Sequence, residues 1–559
     1  MSNAAIYLNP EAFDTKTKAL MGRHAAGESF LRGYRLHADV ERHVFWNVAG
    51  RPTADMQAFV DAVEPSTKPV TWLAAGDRRG IGRVGAVSLA SPQIAREAWA
   101  RRVLGDAAYG ICGITHTTAT ARAMDAIGAL LTAPVKPWDA LICTSRAVRA
   151  AVERQLEATE DYLAQTLGAS RLTRPQLEVI PLGVNVADFI TTPTQKKDWR
   201  ERLGIADDTV VALYVGRFSA AAKMNPLPMA MALERAAVRS GKKLAWVVAG
   251  WAPTEELTAR YHDDSRACCP SVQYIALDGR EPDVRFSIWA VGDIFLSLSD
   301  NVQETFGLTP VEAMAAGMPN VVSDWDGYRD TVRHGVDGFR IATYSPRPGT
   351  GEDIAYRHAN DWVKYEAYVA ATSQTNVVDI DQAAQAIATL ACDTDLRVRM
   401  GASARERAVT EFDWARIIPR YQVLWGAMNA RRLAAPAPAP AARNLVNNPW
   451  RMDPYTLFAA YPTEYLTDTS MIRSRPDLTW AQVKAATGSV MTREGGFALP
   501  PEAEIVSLVE RLAGERQISV GDLLAHFPAP RRVLLERGVL WLAKYGFIEI
   551  LGRSDRIAD

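Results

Sequence analysis

Up to about residue 434, short apolar runs alternate with longer amphipathic stretches. Ala5–Leu8, Val70–Leu73, Gly110–Ile114, Ala140–Cys143 and Leu177–Ile180 have the length and composition of buried strands. Between them, stretches such as Arg96–Leu104 and Ala147–Leu167 carry apolar residues at helical spacing. Strands joined by helices predict a parallel sheet with crossover connections. The rhythm starts again after Asp207, with Val210–Val215, Leu244–Val248, Gln273–Ala276, Ile294–Leu298 and Asn320–Ser323 as strands. An α/β chain with two Rossmann-like, doubly wound domains is expected, spanning residues 1–195 and 196–411. Ligands in such sheets sit beyond the carboxyl ends of the strands, so the loops after these runs hold the candidate chemistry.

The pattern breaks in three places. Residues 344–376 are polar and longer than an ordinary connection, which predicts an insertion in the second domain. Helical periodicity returns over Gln382–Met428, and its last part, about 412–430, is expected to pack back onto the first domain. Alternating Ala and Pro over Ala434–Ala442 removes backbone donors and favours an extended chain, so a linker is placed at 432–448. Residues 449–559 form a small, mainly helical domain in this reading. Helices at Glu502–Gly514, Val520–Phe527 and Arg531–Tyr545 precede a strand at Phe547–Leu551, an order that resembles a winged helix.

Composition narrows the function classes. The 559 residues are 48% hydrophobic and 23% charged, with a formal net charge of -1, which removes binding of polyanions by the chain as a whole. From Leu433 onward 14 Lys and Arg face 14 Asp and Glu, so the tail lacks the electrostatic footprint of a nucleic-acid module. Protein contact or acceptor docking is expected of it instead. Five cysteines (Cys112, Cys143, Cys268, Cys269, Cys392) without a C-x-x-C pair fit reduced thiols. No apolar run of about 18 residues is present and Met1–Pro10 lacks a signal-peptide pattern, so a cytoplasmic location is expected. Peripheral attachment to a membrane stays open.

The densest chemistry lies in DIFLSLSDNVQETFGLTPVEAMAAGMPNVVSDWDGYRD, residues 293–330. A strand ends near Ser299, a loop carries Glu304, and FGLTP leads into a helix that stops at Gly317. Thr309 suits the N-cap, Pro310 the first helical position and Gly317 a left-handed cap. Glu312, three residues after Thr309, has capping-box spacing. The free amides around Phe306–Thr309 predict an anion site. After the first strand of the second domain, LYVGRFSAAAKMNP places Arg217 and Lys223 where both can reach the same crevice and clamp a diphosphate.

These residues carry a resemblance. LEVIPLGVNVADF (177–189), VGRF with Lys223, VVAG (247–250), and the Glu304-x7-Glu312 pair inside ETFGLTPVEAMAAGMPNVVSDWDGYRDTV resemble the retaining glycosyltransferases of family 4, which have the GT-B fold. The likeness covers about Ala5 to Met428. It implies transfer of a sugar from a nucleotide diphosphate sugar, with two Rossmann-like domains facing a cleft. By that similarity Arg217 and Lys223 bind the donor diphosphate, Glu304 touches sugar hydroxyls near the reacting carbon, and Glu312 holds the ribose. Phe306, Gly307 and Leu308 would present backbone amides to sugar and phosphate. His116, just past a strand, matches a histidine near the donor sugar. GRHAAGESF (22–30) takes the place of the family's glycine-rich loop, with Gly27 and the more distant Gly22 as its glycines. Lys223 stands one residue further from Arg217 than the family spacing.

The mechanism implied is front-face displacement, in which the leaving phosphate takes the acceptor's proton. No cofactor beyond the nucleotide sugar and no essential metal are expected. Asp324-Trp325-Asp326 superficially matches an Asp-x-Asp metal site, but the same tripeptide form recurs at Asp379 and Asp393, and Asp326 reads more simply as a helix N-cap. Two alternatives remain: a binding protein that senses a nucleotide sugar through the cleft and tail, or a GT-B sugar-nucleotide epimerase. The sugar, the base and the acceptor, whether saccharide, lipid, protein or small molecule, stay open.

Overall fold

The computed structural model describes residues 3–13, 22–436, 448–476, 478–514 and 517–551. The chain divides into two compact units, Met1–Pro449 and Trp450–Asp559.

In the first unit, strands β1 (Ala5–Leu8), β2 (His43–Asn47), β3 (Val70–Ala74), β4 (Ala86–Ser88), β5 (Gly110–Ile114), β6 (Ala140–Cys143) and β7 (Gln176–Val179) form one sheet in the order β3-β2-β1-β4-β5-β6-β7. A second sheet contains β8 (Val210–Val215), β9 (Leu244–Gly250), β10 (Gln273–Asp278), β11 (Ile294–Ser297), β12 (Asn320–Ser323) and β13 (Gly338–Ile341), in the order β10-β9-β8-β11-β12-β13. Every pairing in both sheets is parallel. Strand order reverses between β1 and β4 in one sheet and between β8 and β11 in the other. Those two switch points are where a doubly wound sheet opens a ligand crevice.

All the runs read as strands form strands. Three further ones, β2, β4 and β13, escape the apolar pattern for local reasons. The sequence of β2, HVFWN, is buried throughout, but it begins and ends on polar residues. β4 has only three residues. β13 begins at Gly338, where φ is +153° and a Cβ would lie 2.0 Å from the Asn320 carbonyl oxygen, so this edge strand can start only on glycine.

The helix Trp414–Ala434 returns from the second sheet to the first. Trp414, Tyr421, Trp425 and Met428 are buried along it. The Trp414 ring sits where a Cβ on Gly33 or Gly183 would lie within 2.4–2.5 Å of it, and its indole N–H donates to Ser29 Oγ at 2.6 Å. Gln422 bonds both backbone groups of Asp39 at 3.1 Å. The helix runs to Ala434, three residues into the segment expected to be linker; 437–447 of that segment lie outside the described residues.

After β13 the chain makes an excursion. Strands β14 (Thr343–Tyr344) and β15 (Val377–Val378) pair antiparallel, and helices Glu352–Ala359 and Tyr365–Ser373 lie between them. The second unit has its own core, with Leu508, Leu512, Leu523, Leu535, Val539 and Leu542 buried. Helices Glu502–Gly514, Val520–Ala525 and Arg532–Lys544 pack with an antiparallel sheet of β16 (Met471–Ser474), β17 (Ile518–Ser519) and β18 (Ile548–Leu551). Two of these strands lie outside the single one expected. Among the described residues no helix is long and apolar enough to cross a membrane.

Removing the Trp414 ring empties a site that two glycines keep clear for it. Trp414→Ala should lower the unfolding free energy of the first unit by about 3–5 kcal/mol, read as a shift of the urea midpoint.

Candidate active site

The carboxyl ends of both sheets open on one cleft of about 2460 Å³, counting its mouth. Its floor on the second sheet is nearly free of side chains. Gly216, Gly250 and Gly279 follow or end β8, β9 and β10, and Gly216 N–H donates to Ala249 O and Gly279 N–H to Gly250 O, each at 3.0 Å. A Cβ on Gly250 would lie 1.8 Å from Gly216 O. A planar, bulky group can approach this backbone closely.

Above that floor the helix Leu308–Ala315 points its amino end into the cleft. Its cap is Gly307, with φ +87°, not Thr309, which is the second helical residue. Glycine is required here twice over, by φ and by the Tyr328 ring, which a Cβ would meet at 2.1 Å. The Thr309–Glu312 capping box therefore does not form, and Glu312 lines the cleft instead. Gly317, with φ +81°, ends the helix in the left-handed conformation. Phe306 points its ring into the core against Phe412, while its amide bears on the Glu304 carboxylate.

Lys223 and Glu304 form an ion pair, Nζ to Oε2, at 2.5 Å. Burial by itself would raise the Glu304 pKa, but the Lys223 ammonium and the Thr305 and Phe306 amides outweigh it and hold the carboxyl below its ordinary value. Burial would likewise lower Lys223, and Glu304 reverses that. Lys223 and Arg217 are thus not an equal pair of cations. Arg217 donates to Ala222 O at 3.2 Å. With the Gln303 amide oriented to satisfy its neighbours, its oxygen also accepts from Arg217 at 2.9 Å. Of the other cations lining the cleft, Arg32 is held by Glu64 and Asp188, and Arg285 lies 3.8 Å from Glu28. Arg217 is met by no carboxylate among the described residues, so it is the cation available to an anionic ligand beside the helix start.

His116 follows β5 and lines the cleft, its carbonyl accepting from Thr305 Oγ1 at 3.1 Å. Thr144 Oγ1 donates to Thr305 O at 3.2 Å and Ser145 Oγ to Asp326 at 2.9 Å. These bonds join the two sheets' loops. Asp326, at φ +40°, is therefore not the expected N-cap; Gly327 takes that place, because Ser145 of the facing half offers Asp326 a partner. Among the described residues no group of three His, Cys, Asp or Glu is arranged to hold a metal ion.

Gly22 and Gly27 do not form a glycine-rich loop. Both lie in the helix Gly22–His37. A Cβ at Gly27 would come within 2.5 Å of Ala12 O, so this glycine lets the helix seat against the turn after β1. Gly27 lines a small adjoining apolar pocket of about 40 Å³ with Phe30, Ile114 and Trp414. From the same helix Glu28 and Arg32 reach the main cleft, as do Asp188, Arg285, Gln303, Tyr365 and Glu366. The sequence reading missed these. Arg285 and Asp188 sit on short turns beyond strands and were open to discovery by position; Tyr365 and Glu366 arrive from the excursion and carry no local signal.

Residues 195–348 match the family model described as "Glycosyl transferases group 1". This stretch of the chain is similar to group 1 glycosyl transferase domains. The chain is 28% identical over 174 residues to the lipopolysaccharide 1,2-N-acetylglucosaminetransferase of Salmonella typhimurium, covering 31% of this chain and 45% of that one. With the D-inositol 3-phosphate glycosyltransferase of Thermobispora bispora it shares 30% over 178 residues, 31% of this chain and 40% of the other. The chain thus spans less than half the length of these curated relatives. A crystal structure of Anabaena HepE in complex with UDP superposes with a TM-score of 0.50 at 15% identity, over 76% of this chain and all of that one. The fold is GT-B, two Rossmann-like sheets facing a cleft, with residues 195–348 supplying the glycine floor and the helix start.

Burial pushes the Glu312 carboxyl up to about 7, against the opposing charges of Arg285 and Lys223. Burial also takes Asp326 to about 7, with the Ser145 hydrogen bond opposing and the charges of Glu304 and Asp330 adding. Their folded-state pKa values lie above the unfolded ones, so the stability they contribute is complete below the ordinary carboxyl range and is lost as pH rises to about 7. The ligand-free protein should lose stability between pH 5 and 8. Glu312→Gln should flatten that slope and gain on the order of 2 kcal/mol over wild type at pH 8, measured from urea midpoints across the range.

Proposed function

We propose that the protein is a retaining glycosyltransferase of the family 4 type, moving a sugar from a nucleotide diphosphate sugar to an acceptor by front-face displacement. The observation that carries this reading is Arg217, unmatched by a carboxylate, beside the amides of the Gly307-capped helix and over the Gly216–Gly250–Gly279 floor. A diphosphate fits that combination of one cation, a helix dipole and bare backbone. In this reading the base and ribose lie over the glycine floor, with ribose hydroxyls donating to Glu312. Such donation favours the carboxylate, so nucleotide binding draws the proton from Glu312.

Glu304 is held ionised by Lys223 and has no proton to give. It serves best as a fixed charge that orients Lys223 towards the leaving phosphate and accepts from sugar hydroxyls with its other oxygen. The phosphate oxygen released at the reacting carbon then takes the acceptor's proton on the same face. His116, on the facing sheet, completes the sugar's surroundings.

Uridine and guanosine diphosphate sugars are the donors to test first, with release of nucleoside diphosphate as the signal. Arg217→Ala should cut turnover by about 100-fold and Glu304→Gln by at least about tenfold; unchanged turnover in both removes the site assignment. Chelation with excess EDTA should leave activity intact. Loss restored by manganese would show that a metal is required.

The C-terminal unit is assigned to contact with a protein or an acceptor. Its 13 basic and 14 acidic residues give duplex nucleic acid no electrostatic advantage.

A further inference from the structure

Strands β14 and β15 pair Thr343 with Val378 and Tyr344 with Val377, so the excursion leaves and rejoins the domain at one point. Its helix Tyr365–Ser373 is wedged against both halves of the first unit. Val369 is buried with Ala119 from the first half and Ala222 from the second, and Val302, Tyr365 and Tyr368 pack around them. Asn301 Nδ2 donates to Ser373 Oγ and to Ala221 O, both at 2.8 Å, and Asn376 Nδ2 to Asp300 O at 2.8 Å. These bonds hold the carboxyl end of the helix, and the packing of Val369 and Tyr365 seats its middle and amino end against both halves.

Tyr365 and Glu366 line the same wall as Thr117, Gln303 and Glu304. The Gln303 amide, oriented as above, donates to Tyr365 Oη at 2.7 Å, and Thr117 hydrogen-bonds the same oxygen. Burial pushes the Tyr365 phenol up to about 12, so the hydroxyl keeps its proton at neutral pH. With its oxygen already accepting, that proton is the group it has left for a ligand.

We propose that Tyr365 and Glu366 form the outer wall of the sugar subsite and select a neutral, hydroxyl-rich sugar over one bearing a carboxylate. The inference rests on the glycosyl-transfer reading and specifies the donor class. Its logic is electrostatic. Glu304 and Glu366 put two acidic side chains around this end of the cleft, Lys223 is committed to Glu304, and Arg217 is committed to the diphosphate. A neutral sugar donates its hydroxyls to these carboxylates and accepts from Tyr365. A uronate meets like charge with no cation left to answer it.

Equilibrium binding of UDP, GDP, UDP-glucose, GDP-mannose and UDP-glucuronate to wild type, Glu366→Gln and Tyr365→Phe tests this. Wild type should prefer UDP-glucose to UDP-glucuronate by at least tenfold. Glu366→Gln should narrow that ratio to threefold or less while UDP affinity stays within threefold of wild type. Tyr365→Phe should weaken the neutral sugar nucleotide five- to tenfold with UDP again unchanged. The proposal is overturned if Glu366→Gln keeps the wild-type ratio, or if UDP and UDP-glucose weaken in parallel in both variants, which marks a structural role. A wild-type chain that binds none of the five probes overturns the donor reading itself, and this inference with it.

Discussion

The seat of Trp414 between two glycines is the contact on which the geometry of the first unit depends. The second sheet hands the chain back to the first through Trp414–Ala434, and the ring can enter only because Gly33 and Gly183 offer no Cβ. Once seated, it aligns the helix that carries Tyr421, Trp425 and Met428 into the first sheet's core. The backbone at the crossing is tied as well: Val184 N–H donates to Phe412 O at 2.9 Å and Trp414 N–H to Val184 O at 3.2 Å. The two sheets are thereby held with their strand ends facing, and the loops that meet across the gap, joined at Thr144–Thr305 and Ser145–Asp326, inherit a fixed separation.

Within that frame the cleft handles buried acid groups in two ways. Glu304 keeps its charge by taking an ammonium partner and backbone amides. Glu312 and Asp326 are instead pushed up to about 7, because their surroundings compensate burial only in part. A cleft in which Lys223 answers Glu304, burial raises Glu312 and no carboxylate among the described residues meets Arg217 is polarised towards an anion at the helix start. The closest charge balance is local, and the chain's net charge of -1 conceals it.

Much of the fold was legible because the parallel strands are buried on both faces and read as apolar runs. β2 was not, because its end residues His43 and Asn47 are buried polar groups with partners elsewhere: His43 faces Ser66 Oγ at 3.3 Å and Asn47 Nδ2 donates to Arg51 O at 2.7 Å. The site residues on strand-end loops, Arg217, Lys223, Glu304 and Glu312, were found by position and motif, and the structure brings them to one cleft. Their pairing was hidden, since Lys223 and Glu304 are 81 residues apart. The local pattern misled where a tertiary contact decides the matter. Thr309 has a good N-cap sequence, but the Tyr328 ring and the φ of Gly307 set the helix start two residues earlier. Gly22 and Gly27 look like a loop after β1, while packing on Ala12 makes the segment a helix.

The two-strand ribbon at the foot of the excursion has an evolutionary consequence. Because β14 and β15 bring residues 344 and 377 side by side, the backbone between them can lengthen or shorten without disturbing the sheet it hangs from. The entropic penalty for such a change is small, about 0.6 kcal/mol for each doubling of loop length. Length can therefore change in the outer part of the segment, residues 345–364, while Val369, Ser373 and Asn376 keep its inner helix in place against the cleft.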